Sequence, residues 1–200
     1  MAPPSLLRDG STSRRFFVGV TNEVGFGMIK AHMKGKKKEP VVYAFIDSQN
    51  VNLSIQNQGW RLDFDKFHVY LKDRYNIKKA FLFLGYIPKY QPMYKKLRSF
   101  GFTIIFKPTV VGNEGNTKGN VDAELVLQAM IEYEKYDKAI IATGDGDFYC
   151  LLNYLLKKRK LLSLFVPNKC RYSSLLRAFV SYIVFMTGLK EKLVYKKERH

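Results

Sequence analysis

The chain has 200 residues, 46% hydrophobic and 26% charged, with 34 Lys+Arg against 17 Asp+Glu and a formal net charge of +17 at pH 7. That length accommodates one domain with a proper core plus an appendage, and the composition excludes a disordered chain. The basic excess says nothing about fold but points to a polyanionic partner: nucleic acid, an anionic membrane surface or another polyanion.

The 13 Tyr and 15 Phe are mostly core residues, with some available to stack on single-stranded bases. The two cysteines, Cys150 and Cys170, belong to no CxxC or Cys/His cluster, so no structural zinc is expected and a reducing cytoplasm is the expected location. No signal peptide is visible, and no apolar run has the length to span a bilayer.

Residues 1–39 read as a basic N-terminal extension. It is either a hairpin, pairing Phe16–Val20 with Gly27–Ala31, or partly unfolded. The run Lys34 to Pro40 reads as a basic linker. The main domain is expected over residues 40–189, followed by a charged tail over 190–200.

Val41–Ile46 is a continuous apolar run, the pattern of a buried strand, and it ends in Asp47-Ser48-Gln49-Asn50. A short helix or turn is expected over 51–58 and a helix from Asp63 to Tyr75. A second strand follows over 79–86, then a basic helix over 91–100 closed by Gly101, then a third strand over 102–106. Residues 107–120 read as a long loop rich in Gly and Asn, a length that is often functional. A helix over 121–133 precedes the fourth strand, Lys138–Ala142. That strand runs into Thr143-Gly144-Asp145-Gly146-Asp147-Phe148. A helix over 148–158 and a fifth strand over 161–166 follow. Ser173 to Phe179 reads as helical, and Val180–Met186 as strand or helix. Strands alternating with helices imply an α/β fold with a parallel sheet and right-handed crossovers.

Chemistry in such sheets gathers beyond the carboxyl ends of the strands. Asp47 follows strand one, Asp145 and Asp147 follow strand four, and Asp122 opens the helix leading to strand four. These four aspartates are expected to converge on one rim of a strongly basic protein. Carboxylates suit Mg²⁺ or Mn²⁺, which would offset their repulsion, activate water and stabilise the charge that builds in phosphodiester cleavage. Each aspartate also has a plain structural explanation. Asp47 or Asp147 could cap the following turn, with capping a weaker explanation for Asp145. Asp122 could be a first-turn acid favoured by the helix dipole. Glu124 reads as solvated, and Asp65, Asp73 and Asp137 as surface charges. His32, His68 and His200 are scattered and support no His-based mechanism.

Phe45–Asn50, Lys118-Gly119-Asn120-Val121-Asp122 and Thr143–Phe148 together resemble the three motifs of NYN domains, PIN-like domains that include the LabA-like proteins. The resemblance spans residues 41–186. It implies a three-layer α/β/α sandwich around a parallel sheet, Rossmann-like in plan, and metal-dependent ribonuclease activity. Carried over by motif, Asp47, Asp122, Asp145 and Asp147 would be the catalytic metal ligands. Asn50, Thr143 and Gly144 would support them. One departure is Gly146, where many relatives carry Ser, and the lost hydroxyl would weaken ordering of the pocket.

Lys89, Tyr90 and Lys95 follow strand two, and Lys169 and Arg171 follow strand five, all near the acidic rim. With Lys118 they are the candidate RNA contacts, suited to a single strand. The basic run Lys157–Lys160 belongs at the opposite end of the sheet. The expected function is cleavage of single-stranded RNA with Mg²⁺ or Mn²⁺. The alternatives are a non-catalytic RNA-binding module of the same fold and, further off, a phosphatase using Asp47. Oligomeric state stays open, a homodimer included.

Overall fold

The computed structural model describes residues 38–107, 110–111, 117–118 and 122–196. The expected hairpin over 16–31, most of the long Gly/Asn loop and the last four residues of the expected tail lie outside these. In chain order, β1 (Val42–Asp47) runs into α1 (Ser48–Gln56), and α2 (Phe64–Tyr75) precedes β2 (Ile77–Gly85). Next come α3 (Gln91–Ser99), β3 (Phe102–Lys107), β4 (Val110–Val111), β5 (Thr117–Lys118) and α4 (Asp122–Ile131). The chain continues through β6 (Lys138–Ala142), α5 (Tyr149–Lys157), β7 (Leu161–Val166), β8 (Ile183–Phe185) and α6 (Lys190–Leu193).

Six strands form one parallel sheet in the order β3-β2-β1-β6-β7-β8. All six residues of β1 are buried because helices cover both faces, which is why its sequence lacks polar alternation. Side chains still alternate by face. Val42, Ala44 and Ile46 join α1, α2, α3 and α6 through Val51, Phe67, Leu97 and Leu193. Tyr43 and Phe45 join α4, α5 and the 174–182 segment through Leu125, Leu152 and Phe179. The result is the expected three-layer α/β/α sandwich. β1 has β2 on one side and β6 on the other, so the strand order reverses there. A crevice opens at the carboxyl ends of the strands at such a switch point.

The helix after β1 begins at Ser48, three residues before the expected start, because Asp47 caps it: its Oδ1 accepts the Asn50 N–H at 3.1 Å. Asp63 caps α2 in the same way, accepting from the N–H groups of Asp65 and Lys66. Gly101 closes the α3 turn at φ +102, a backbone setting that a side chain resists. Within the expected loop, β4 and β5 pair antiparallel. Ser174–Tyr182 is a 3₁₀ segment interrupted at Phe179, and the apolar run after it supplies edge strand β8.

Residues 190–195, expected in the charged tail, instead pack on the domain. Leu193 is fully buried, its carbonyl accepts the Asp63 N–H at 2.8 Å, and Val194 pairs with Leu62. Burying one leucine contributes about 1.5–3 kcal/mol, while Lys190, Lys192 and Lys196 stay exposed to water.

Candidate active site

Asp47 ends β1 at the switch point and is 4% exposed. A buried carboxylate is costly unless its oxygens are engaged. Here Oδ1 accepts from the Asn50 N–H, and Oδ2 accepts from the Thr143 hydroxyl at 3.3 Å. The same Thr143 oxygen accepts the Asp145 N–H at 3.1 Å. Asn50 Oδ1 in turn accepts the Gly144 N–H at 2.8 Å, and the Gly144 carbonyl accepts the Ser173 N–H at 3.0 Å. The ends of β1 and β6 and the loop beyond β7 are thus joined in one polar network. The structure therefore brings together Asp47, Asn50, Thr143, Gly144 and Asp145.

The capping role falls on Asp145, which corrects the expectation that Asp147 fills it. Asp145 Oδ1 accepts the Asp147 N–H at 3.0 Å and starts a 3₁₀ turn over Gly146–Phe148. Asp147 sits inside that turn with its side chain exposed. The turn intervenes because Asp145 binds two residues ahead, so α5 starts only at Tyr149.

Asp122 is the first residue of α4, which packs against β1 and the 146–148 turn. The side chains of Asp122 and Lys118 lie outside the described residues. Among the described residues no group of three or more His, Cys, Asp or Glu is placed to hold a metal ion. The donor set present is all carboxylate oxygen, the chemistry of a hard divalent cation. The ion pairs found among the described residues engage Asp63 and Glu132, so among those residues no lysine or arginine pairs with Asp145 or Asp147. Both features fit a cation site. Glu124 corrects another expectation: its Oε2 is buried, not solvated, with no hydrogen-bond partner among the described residues. Its helix is pressed against β1, which removes water from that oxygen.

The candidate RNA contacts lie on several elements. Lys89 and Tyr90 fall in the 3₁₀ turn after β2, with the lysine Nζ 5.2 Å from the tyrosine ring centre. Lys95 is exposed on α3. Tyr94 turns inward and is fully buried, accepting the Ile87 N–H and donating to the Gly85 carbonyl. Lys169 and Arg171 are exposed in the loop beyond β7, whose turn is held by Asn168 Oδ1. At the opposite end of the sheet, Lys160 Nζ donates to the carbonyls of Tyr133 and Tyr136 at 2.7 and 2.5 Å. That lysine closes the 3₁₀ turn over Tyr133–Lys135 after α4, not the end of α5.

Ser173 was not evident in the sequence as part of this site. A Cβ on Gly146 would meet its hydroxyl at 2.2 Å. The space that a serine at 146 would need is already taken by a serine from another loop. A sequence signal for this exists only as the pair of a missing side chain at 146 and a hydroxyl far along the chain.

The fold and site define a class: a parallel α/β domain with Asp47 and Asp145 joined through Thr143 at its topological switch point. The chain belongs to the NYN domain family, whose profile matches residues 41–186. This is a PIN-like nuclease family, and membership points to a nuclease or RNA-related role. The chain is 29% identical over 125 residues to the low amplitude and bright protein LabA of Synechococcus elongatus, covering 58% of this chain and 67% of that protein. It shares its fold with a crystal structure of a Vibrio parahaemolyticus protein of unknown function. The TM-score is 0.65 at 20% identity, over 78% of this chain and 97% of the other. The T5 5′-exonuclease with bound zinc aligns at a TM-score of 0.43 and 13% identity, over 70% of this chain and 60% of that one, too distant to bear on this protein. Among the described residues no helix is long and apolar enough to cross a membrane.

Proposed function

We propose that this chain is a cytoplasmic endoribonuclease that cleaves single-stranded RNA with Mg²⁺ or Mn²⁺. The observation that carries the reading is the coupling of buried Asp47 to Asp145 through one hydroxyl, that of Thr143, at the switch point of a parallel sheet in a chain of net charge +17. Asp47, Asp122, Asp145 and Asp147 would hold the cation. When bound, it would supply Lewis-acid stabilisation of the scissile phosphate and lower the pKa of attacking water. Thr143 fixes the aim of Asp47, and Asn50 holds the Gly144 turn against α1. Lys89, Lys95, Lys118, Lys169 and Arg171 would neutralise phosphates, and Tyr90 would stack on a base.

A non-catalytic RNA-binding module is the second reading. It is favoured by the commitment of Asp145 Oδ1 to the turn that follows it. The test is cleavage of labelled single-stranded RNA with Mn²⁺ or Mg²⁺ by wild type and Asp145→Asn, with an EDTA control. Cleavage that requires both the cation and Asp145 supports the nuclease. Binding without cleavage across several substrates and metals supports the module. Cleavage that survives EDTA and the substitution overturns the metal site.

A further inference from the structure

A groove of about 600 Å³ lies between α1 and α3, away from the carboxylates. Both helices start at the carboxyl rim of the sheet, so the groove leads from the rim down the side of the domain. Its upper end is marked by Asn52 on α1 and Tyr90 before α3. Asn52 is five residues past Asp47, about 7–8 Å along the helix axis. Its lower end is marked by Arg61, Lys96 and Tyr195.

The chemistry of the walls is consistent from end to end. Tyr90 and Tyr195 are 41% and 46% exposed, large faces left to water. Arg61 stands 5.3 Å from the Tyr195 ring centre, and Lys96 stands 5.8 Å from that of Phe100. Neither cation forms an ion pair among the described residues. The acid in the groove, Asp63, is already engaged by the α2 N-terminus and Lys66. Asn52 and Gln56 lie four residues apart and present their amides on one stripe of α1. The lower wall is anchored: the Tyr195 N–H donates to the Arg61 carbonyl at 2.9 Å, and Lys66 Nζ donates to the Val194 carbonyl at 3.0 Å.

We propose that this groove is a second nucleotide-binding track, which holds the RNA strand flanking the segment at the acidic rim. Arg61 and Lys96 bind its phosphates and Tyr195 stacks on its bases, with Tyr90 at the junction with the rim segment. Unpaired cations alternating with exposed rings are the components of sequence-tolerant single-strand binding. An acidic peptide would use the cations but leave the rings without a role. The inference rests on the nucleic-acid half of the proposed function and is independent of cleavage.

The test is fluorescence anisotropy of a labelled oligouridine titrated with the 200-residue chain in EDTA over a range of salt. Arg61→Gln with Lys96→Gln should weaken binding about tenfold or more and lower the salt slope by about 0.7 per cation removed. Tyr195→Ala should weaken it at least about fivefold with the slope unchanged. Lys157→Gln with Lys158→Gln removes the same charge at the far end of the sheet and should leave binding as it is. Equal losses in both double variants, unchanged binding in the groove variant, or stronger capture of polyglutamate than of oligouridine would overturn the track. Cleavage by the same proteins with Mn²⁺ separates the two readings. Asp145-dependent cleavage with groove variants that bind normally removes the track and keeps the nuclease. Weakened binding by groove variants of a protein that never cleaves does the reverse.

Discussion

A Cβ built on Gly146 would stand 2.2 Å from the Ser173 hydroxyl and 3.0 Å from the Ser173 Cβ. The two residues compete for one volume. Gly146→Ser should therefore destabilise the protein by about 1–3 kcal/mol through overpacking. At this chain size that lowers Tm by about 2–4 °C per kcal/mol. Adding Ser173→Gly should restore most of the loss. Thermal melts of both single variants and the pair form a double-mutant cycle, and additive losses would refute the competition.

Thr143 holds Asp47 Oδ2 with its proton and the Asp145 N–H with its lone pair. Thr143→Val keeps the shape and removes both bonds. It should cost about 1–3 kcal/mol, since buried partners are left unsatisfied. RNA cleavage should fall, because the aim of Asp47 is lost. Thr143→Ser should recover both, which denaturant melts and single-turnover assays would read.

Asp145 and Asp147 should separate stability from activity. Asp145→Ala removes a cap and should cost about 1 kcal/mol. Asp147→Ala removes an exposed side chain and should leave stability within about 0.5 kcal/mol. Both should abolish metal-dependent cleavage if both hold the cation. Retained cleavage in Asp147→Ala would remove that residue from the site.

His68 packs edge-on against Phe102, with ring centres 5.0 Å apart, and crowds the Gly101 backbone. Burial, aided by the charge of Lys72 and opposed by Asp65, holds its pKa below the usual 6.5. The folded state therefore binds the proton less readily than the unfolded chain. Its stabilising contribution is complete above about pH 6.5. It is lost progressively as pH falls from there toward and past the folded-state pKa. Tm measured from about pH 8 down to 5 should drop more for wild type than for His68→Gln, and parallel curves would refute the assignment.

The strands were legible because apolar runs such as Val42–Ile46 and Ala139–Ala142 have no other economical use than burial on both faces. The alternation of strands and helices then constrained the topology, through the handedness of crossovers. The carboxylates at the ends of those runs were legible for the same reason, since a strand's carboxyl end is a place in space as well as in sequence. Other assignments depended on partners distant in the chain. Capping moved from Asp147 to Asp145 because Asp145 is drawn toward Thr143 and its own turn. Glu124 was read as solvated because nothing local shows that α4 is pressed onto β1.

The amino-acid sequence by itself determined the layered α/β architecture, the position of Asp47 and Asp145 at strand ends and the basic charge. Burial patterns, strand ends and ionisable counts are local or additive properties. Only the tertiary structure decided that one threonine hydroxyl serves both Asp47 and Asp145, that Ser173 fills the space beside Gly146, and that Leu193 returns to the core while Tyr195 walls a groove between α1 and α3. Each of these joins residues far apart in the chain. Contacts of that kind are set by packing the layers together, which no local pattern encodes.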